Sequence, residues 1–199
     1  MNTPNKLTLL RILLVPFFVF FLLMPSIPHH YLIAGLVFGL ASLTDHFDGR
    51  LARKNNQITD FGKFADPLAD KILVMAAFMC FVELGLSGSL VVIIMIFREF
   101  VVTSIRLVAV GQGKVIAANI WGKAKTVSQI AAIIVVIVLQ YVNELISMGT
   151  FPVAAADAAV LSHAFLITGE ICLWISAALT LISGAIYIWD NRDAIKNVK

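Results

Sequence analysis

Four aspartates lie close together in the sequence, at spacings that matter in a helix. Asp45 and Asp48 are three residues apart, and Asp66 and Asp70 are four apart. Residues at these spacings share one face of an α-helix, so each pair is predicted to present its carboxylates to one side. Hard oxygen donors, with no cysteine or paired histidine among them, favour Mg²⁺ or Mn²⁺ over zinc. Two such ions about 4 Å apart would hold the attacking and leaving oxygens of a phosphoryl displacement.

The composition places these aspartates in a membrane protein. The chain has 199 residues, of which 60% are hydrophobic and 14% charged, and its mean hydropathy is +0.93. Soluble domains average about 45–50% apolar and roughly 25% charged residues, so the excess apolar surface must face lipid. The net charge of +3 then indicates anionic lipid headgroups as the partner, and no nucleic acid. Carboxylates within membrane segments are costly and usually functional.

The apolar segments predict an all-α bundle with six transmembrane helices. Their ranges are 12–24, 31–43 (continued as a helix to 52), 64–82, 90–110, 115–140 and 165–189. Residues 1–11 alternate polar and apolar side chains and carry Lys6 and Arg11, which predicts an interfacial amphipathic helix. Alternatively, the short first span extends backward through residues 7–10. The whole chain, 1–199, is predicted to be one membrane domain: the interfacial helix, the bundle over 12–189 and a tail over 190–199.

The basic residues predict the orientation of the bundle. The connecting segments 25–30, 83–89 and 141–164 contain none of the fifteen lysines and arginines. Because positive charge favours the cytoplasmic side, the opposite ends of the helices and both termini are predicted to be cytoplasmic. The aspartates lie on that side, so the active site is expected at the cytoplasmic face of the cell membrane. Segment 141–164 receives no predicted role.

Small residues and one arginine accompany the aspartates. Gly49 and Ala52 lie on the same helical stripe as Asp45, and Gly62 lies one turn before Asp66. Because glycine and alanine have little or no side chain, a nucleotide could approach the helix backbone at these positions. Close packing of helices in the membrane is an alternative reason for the glycines. Arg53 suits a phosphate or a base edge, or else serves only to fix the topology.

The stretch from Asp45 to Asp70 resembles the signature of the CDP-alcohol phosphotransferase family. That signature is Asp-x-x-Asp-Gly-x-x-Ala-Arg, eight residues, then Gly-x-x-x-Asp-x-x-x-Asp, and every fixed position matches. The resemblance implies a CDP-linked donor, usually CDP-diacylglycerol. An acceptor hydroxyl attacks the β-phosphorus and CMP leaves. Asp70 matches the acid that takes the acceptor's proton, and a homodimer surrounded by membrane phospholipids is expected.

The resemblance also implies ligand sites. Metals are expected at Asp45, Asp48, Asp66 and Asp70. The CDP moiety is expected at Asn5, Thr8, Asp48, Gly49, Ala52, Arg53 and Gly62.

Basic residues farther along the chain suggest a site for an acceptor phosphate. Arg98 and Arg106 lie near one face of the fourth predicted span, and the remaining candidates are Lys114, Lys123 and Lys125. Alternatively, Arg98 and Glu99 form a structural ion pair and the lysines mark the membrane boundary. The Arg-Glu and Gly-Lys-x-Lys-Thr stretches resemble the branch of the family that uses sn-glycerol 3-phosphate. Phosphatidylglycerol, inositol phosphate and serine remain competing acceptors.

Two other classes of membrane protein also place acids in helices. A cation transporter would spread them along a path and often contains a repeat of broken helices. A membrane prenyltransferase would have a second aspartate cluster far downstream. Neither feature is visible in this sequence.

Overall fold

The structure, a computed structural model, describes the backbone of residues 3–54, 60–112 and 120–192. Within these ranges it describes the side chains of residues 6–44, 68–69, 71–112 and 120–192. The described residues form six helices and no strand: α1 (Thr3–Leu23), α2 (His30–Lys54), α3 (Asp60–Glu83), α4 (Ser89–Gly111), α5 (Ile120–Ser147) and α6 (Ala155–Asp190). The all-α prediction is therefore confirmed for this part of the chain.

The predicted interfacial segment and the first predicted span form one helix, because α1 runs without a break from Thr3 to Leu23. This agrees with a first span that extends backward from residue 12, and an interfacial position for its first turns stays a prediction. Arg11, which suggested a membrane boundary, is almost fully buried against the bundle. Its charge is thus covered by protein, and the depth of this part of α1 in the membrane stays a prediction.

The connection between the last two helices is much shorter than segment 141–164. Helix α5 continues to Ser147 and α6 begins at Ala155. Gly149, at φ 74°, ends α5: its N–H donates to Ile146 O, and the next N–H, that of Thr150, donates to Leu145 O. This is the glycine-terminated Schellman arrangement, and Gly85 ends α3 in the same way. The predicted start of the fifth span, 115–119, lies outside the described residues.

Buried apolar side chains from all six helices form the core. Phe18 of α1 packs against Phe38 of α2 with ring centroids 5.6 Å apart, and Met95, Ile133 and Leu173 continue the core into α4, α5 and α6. The pattern along α4 is inverted relative to a soluble protein: Arg98 is buried whereas Phe97 and Phe100 are exposed. Apolar side chains on the outside and a charge on the inside suit a lipid surrounding.

Three segments of the described chain are long and apolar enough to cross a membrane: Lys6–Leu23, Ile120–Ser147 and Ala155–Asp190. Part of α2, His30–Thr44, is apolar but shorter. Helix α4 has the length for a crossing but carries Arg98, Glu99 and Arg106. The chain thus has the features of a multi-pass membrane protein, and six crossings remain a prediction.

Contacts along the helices fix their relative directions. Helix α5 is antiparallel to α2, because His30 contacts Glu144 while Gly35 lies against Ile137. It is also antiparallel to α6, because Gln129 contacts Thr180 while Val136 lies against Gly169. Helices α4 and α6 run in the same direction. The two ends of α5 therefore lie at opposite ends of the bundle.

Candidate functional site

The aspartate motif occupies the C-terminal part of α2 and the N-terminal part of α3. Asp45 and Asp48 belong to α2, while Asp66 and Asp70 belong to α3, and the two helices contact each other. The helical backbone places each pair on one face by register. The side chains of all four lie outside the described residues, as do those of Asn5, Gly49, Ala52, Arg53 and Gly62.

The donor set of this motif fits a hard divalent cation. Its members are carboxylates at i, i+3 and i, i+4 positions of two helices in contact, without thiols. Among the residues whose side chains are described, no group of three or more His, Cys, Asp or Glu residues could hold a metal ion. The metal site predicted at the aspartate motif lies outside that set of side chains and stays a prediction.

Immediately after the motif, the structure describes a group of charged side chains, Lys71, Arg98, Glu99 and Lys125, here named the charged cluster. Its centre is Glu99 of α4. Arg98 Nη1 lies 3.2 Å from Glu99 Oε1, and Lys125 Nζ from α5 donates to the same oxygen. Arg98 and Lys125 are only 8% and 5% exposed. One carboxylate oxygen thus joins two buried cations from different helices.

Lys71 brings a third cation to this cluster. Its Nζ donates to Thr103 Oγ1, one helical turn after Glu99 on α4, and it interacts electrostatically with both Glu99 and Lys125. Within the described residues the cluster has three cationic side chains and one anionic side chain, an excess of two positive charges. Buried charge of one sign normally requires compensation, so this arrangement suits an anion.

Helix α6 supplies the remaining described contact of Arg98. Arg98 Nη2 donates to Ser183 Oγ over 2.8 Å. The Nε atom of the same guanidinium is buried and has no hydrogen-bond partner among the described residues. Such a donor, in a region with excess positive charge, is able to bind a phosphate oxygen.

The structure brings together only some of the five basic residues that were predicted to bind the acceptor phosphate. Arg98 and Lys125 both contact Glu99, so the predicted Arg98–Glu99 ion pair and a grouping of basic side chains are both present. The alternative that the lysines only mark a boundary does not fit Lys125, which is buried, whereas Lys123 is exposed. Arg106 is exposed and lies against α6, where its Nε donates to Tyr187 Oη over 3.2 Å. Lys114 lies outside the described residues.

Thr8 is the one residue of the predicted CDP site whose side chain the structure describes. Thr8 lies on α1 and is 1% exposed. It belongs to the protein interior, and nothing described tests its predicted contact with a nucleotide.

Two residues of this region, Lys71 and Ser183, were not predicted from the sequence. Lys71 directly follows Asp70, and a cation beside an acid in a membrane helix was a usable signal. Ser183 gave no signal, because it stands 85 residues from Arg98 in the chain and serine is common in membrane helices.

Known proteins resemble this chain over most of its length. The family model described as CDP-alcohol phosphatidyltransferase matches residues 1–182. A relative from Bacillus subtilis (strain 168), named CDP-diacylglycerol–glycerol-3-phosphate 3-phosphatidyltransferase, is 41% identical over 98% of this chain and 97% of its own. Relatives of the same name from Haemophilus influenzae and Escherichia coli (strain K12) are 42% and 40% identical over 66% of this chain, covering 73% and 74% of their own. These matches confirm the resemblance based on the aspartate motif, and the chain belongs to the CDP-alcohol phosphatidyltransferase family.

Proposed function

We propose that this protein transfers the phosphatidyl group of CDP-diacylglycerol to sn-glycerol 3-phosphate, giving phosphatidylglycerol phosphate and CMP. The main support is the near full-length similarity to the Bacillus subtilis relative, whose name states this donor, acceptor and transfer. The excess of positive charge in the charged cluster, which includes Lys71 next to Asp70, supports the same acceptor, because glycerol 3-phosphate carries a phosphate dianion. The family match argues against a transporter or a prenyltransferase.

The proposed reaction needs little covalent chemistry from the protein. The acceptor hydroxyl forms a bond to the β-phosphorus of the donor, and the bond from that phosphorus to the CMP oxygen breaks. The hydroxyl proton goes to the carboxylate of Asp70, which acts as the general base. Catalysis then depends mainly on holding the donor and acceptor in line and on stabilising the charge that develops.

The residues of the aspartate motif are proposed to hold two Mg²⁺ or Mn²⁺ ions through Asp45, Asp48, Asp66 and Asp70. When bound, the ions would neutralise charge on the diphosphate. The donor's CDP group is proposed to bind at Asn5, Thr8, Asp48, Gly49, Ala52, Arg53 and Gly62. Glycine and alanine at these positions leave room for a nucleotide beside the helix backbone.

The acceptor phosphate is proposed to bind at Arg98 and Lys125, with Lys71 as an additional cation. Glu99 keeps the two buried cations together without cancelling their charge, since it provides one negative charge against three positive ones. Arg106, Lys114 and Lys123 are retained as further candidates for binding the acceptor phosphate. Positive charge on a protein raises the local concentration of an anionic substrate.

The protein is proposed to cross the cell membrane six times, with both termini and the active site on the cytoplasmic side. The antiparallel and parallel contacts of α2, α4, α5 and α6 support alternating crossings. A homodimer is proposed from the family resemblance.

An acceptor panel tests this function. Purified protein in detergent would receive CDP-diacylglycerol and one radiolabelled acceptor: glycerol 3-phosphate, phosphatidylglycerol, inositol phosphate or serine. We expect glycerol 3-phosphate to be incorporated with release of CMP, and we expect EDTA to stop the reaction until Mg²⁺ or Mn²⁺ is restored. Incorporation of another alcohol without any of glycerol 3-phosphate would overturn the proposed acceptor. A full rate after chelation would overturn the metal requirement.

A further inference from the structure

The backbone of α6 lies directly against the side chain of Arg98. A Cβ atom added to Gly184 would lie 2.9 Å from Arg98 Cγ and 3.8 Å from Arg98 Nε. The first distance is too short for two carbon atoms in contact, so any side chain at position 184 would displace the arginine. Gly184 therefore allows the arginine stem to pack closely against α6.

The residue before Gly184 fixes the other end of the same side chain. Ser183 is fully buried, and its hydroxyl accepts the hydrogen bond from Arg98 Nη2 at 2.8 Å. On the opposite side of the guanidinium, Nη1 faces Glu99 Oε1 at 3.2 Å. A guanidinium is planar, so fixing its stem and both terminal nitrogens also fixes the direction of Nε.

Nε differs from the two terminal nitrogens of Arg98, each of which makes a hydrogen bond to one of the described residues. It is buried and has no hydrogen-bond partner among them. A buried cationic donor without a partner carries a desolvation cost that an anionic ligand would remove. The contacts with α6 and Glu99 thus hold the side chain in one orientation while they leave its Nε–H without a partner among the described residues.

We infer that Ser183 and Gly184 are positioning residues that orient Arg98 toward the phosphate of the acceptor. The inference rests on the proposed function and extends it, because it assigns to α6 the selection of a phosphorylated acceptor. Neither residue is expected to touch the reacting atoms. Their loss should weaken binding of glycerol 3-phosphate and leave the CDP-lipid side of the reaction unchanged.

Steady-state kinetics of Ser183→Ala and Gly184→Ala test this inference. Ser183→Ala is expected to raise the KM for glycerol 3-phosphate roughly tenfold, because the guanidinium loses one of the hydrogen bonds that orient it. Gly184→Ala is expected to raise it at least as much, because the added methyl group displaces the arginine stem. For both variants, kcat and the KM for CDP-diacylglycerol should stay within about twofold of wild type.

The same helix provides matched controls. Ser176 is also a buried serine with one hydroxyl contact, 3.3 Å from Ser128, and Gly169 is also a packed glycine, whose added Cβ would meet Val136 at 3.3 Å. Among the described contacts, neither touches a side chain of the charged cluster; Ser128 itself donates to the backbone carbonyl of Lys125 over 2.7 Å. Ser176→Ala and Gly169→Ala should change the KM for glycerol 3-phosphate less than about twofold. Equal increases in the variants and their controls would overturn the inference.

A double variant separates positioning from general damage. Arg98→Lys retains the charge but cannot make the Nη2 contact, so adding Ser183→Ala to it should raise the KM for glycerol 3-phosphate less than about twofold further. If the increases in KM of the two single variants multiply in the double variant, Ser183 does not act through Arg98. If Gly184→Ala does not fold, the Ser183 series decides alone. Failure of wild-type protein to use glycerol 3-phosphate would reject the proposed function, whereas normal wild-type use with unaffected variants would reject only this inference.

Discussion

The two ends of helix α5 carry polar groups of very different character. Near its start, Lys125 joins the charged cluster, and near its end Glu144 meets a group of His29, His30 and Tyr141, here named the histidine cluster. The two positions are 19 residues apart, or about 28 Å along a helix, which is close to the thickness of a bilayer's hydrocarbon core. One helix thus connects two polar regions at opposite ends of the bundle.

The histidine cluster has a structural explanation that the charged cluster lacks. Glu144 Oε1 accepts a hydrogen bond from the backbone N–H of His30 at 3.2 Å, at the first residue of α2. The first N–H groups of a helix have no partner within it, and a carboxylate there is also favoured by the helix dipole. The neighbouring Tyr141 hydroxyl lies 3.4 Å from His29 Nδ1, a residue held at φ 59° between Pro28 and α2.

Buried polar atoms without a hydrogen-bond partner occur in both regions, so they do not by themselves distinguish a proposed binding site. Each region has a buried polar atom without a hydrogen-bond partner among the described residues: Arg98 Nε in one, His30 Nδ1 and Glu144 Oε2 in the other. Only the charged cluster combines such an atom with several cations around a single carboxylate. Excess charge of one sign, in contact with a helix that carries the aspartate motif, distinguishes the proposed site.

The largest effect is expected at the charged end, from Asp70→Asn. The variant cannot accept the acceptor's proton, and general-base catalysis contributes about 10² to 10⁴ in rate. CMP release from CDP-diacylglycerol should fall by that range while the CDP-lipid still binds. Asp157→Asn, in the exposed first turn of α6, is the control and should retain normal turnover. Full activity of Asp70→Asn would end the proposed role of this residue.

A smaller effect is expected from Lys125→Met, which removes one cation from the charged cluster and retains an apolar stem of similar size. The KM for glycerol 3-phosphate should rise roughly 10- to 100-fold, because hydrogen bonds to charged groups contribute about 1.5–3 kcal/mol. Arg192→Met removes an exposed cation that stacks on Trp189 and should leave this KM within about twofold. Similar changes in both variants would mean that net charge, and not the cluster, attracts the acceptor.

The smallest effect on activity is expected at the histidine end. Glu144→Ala leaves the N–H of His30 without its acceptor, which should lower the free energy of unfolding by about 1–3 kcal/mol. Both kcat and the KM for glycerol 3-phosphate should stay within about twofold of wild type. Thermal unfolding in detergent and the acceptor assay provide the two measurements, and Glu144→Gln, which keeps an acceptor oxygen, should recover most of the stability. Normal stability combined with a large loss of activity would contradict the division between the two ends.

The helices themselves were largely predictable from sequence. The predicted spans 64–82 and 90–110 agree closely with α3 and α4, because long apolar runs form helices in a membrane and glycine marks several of their ends. The two errors lie at one connection. The fifth span was predicted to end at 140 and the sixth to begin at 165, but α5 continues to Ser147 and α6 already begins at Ala155, so both errors assigned helical residues near polar side chains to a connection.

The sequence by itself determined that this is a membrane protein, that its aspartates form the motif of a phosphatidyl-transferring family, and which basic residues were candidates for an acceptor. Only the tertiary structure decided that Arg98 and Lys125 share Glu99, that Lys71 joins them, and that α6 holds Arg98. The physical reason is that spacing along a chain determines which residues share a face of one helix. Which faces then meet depends on how all six helices pack together.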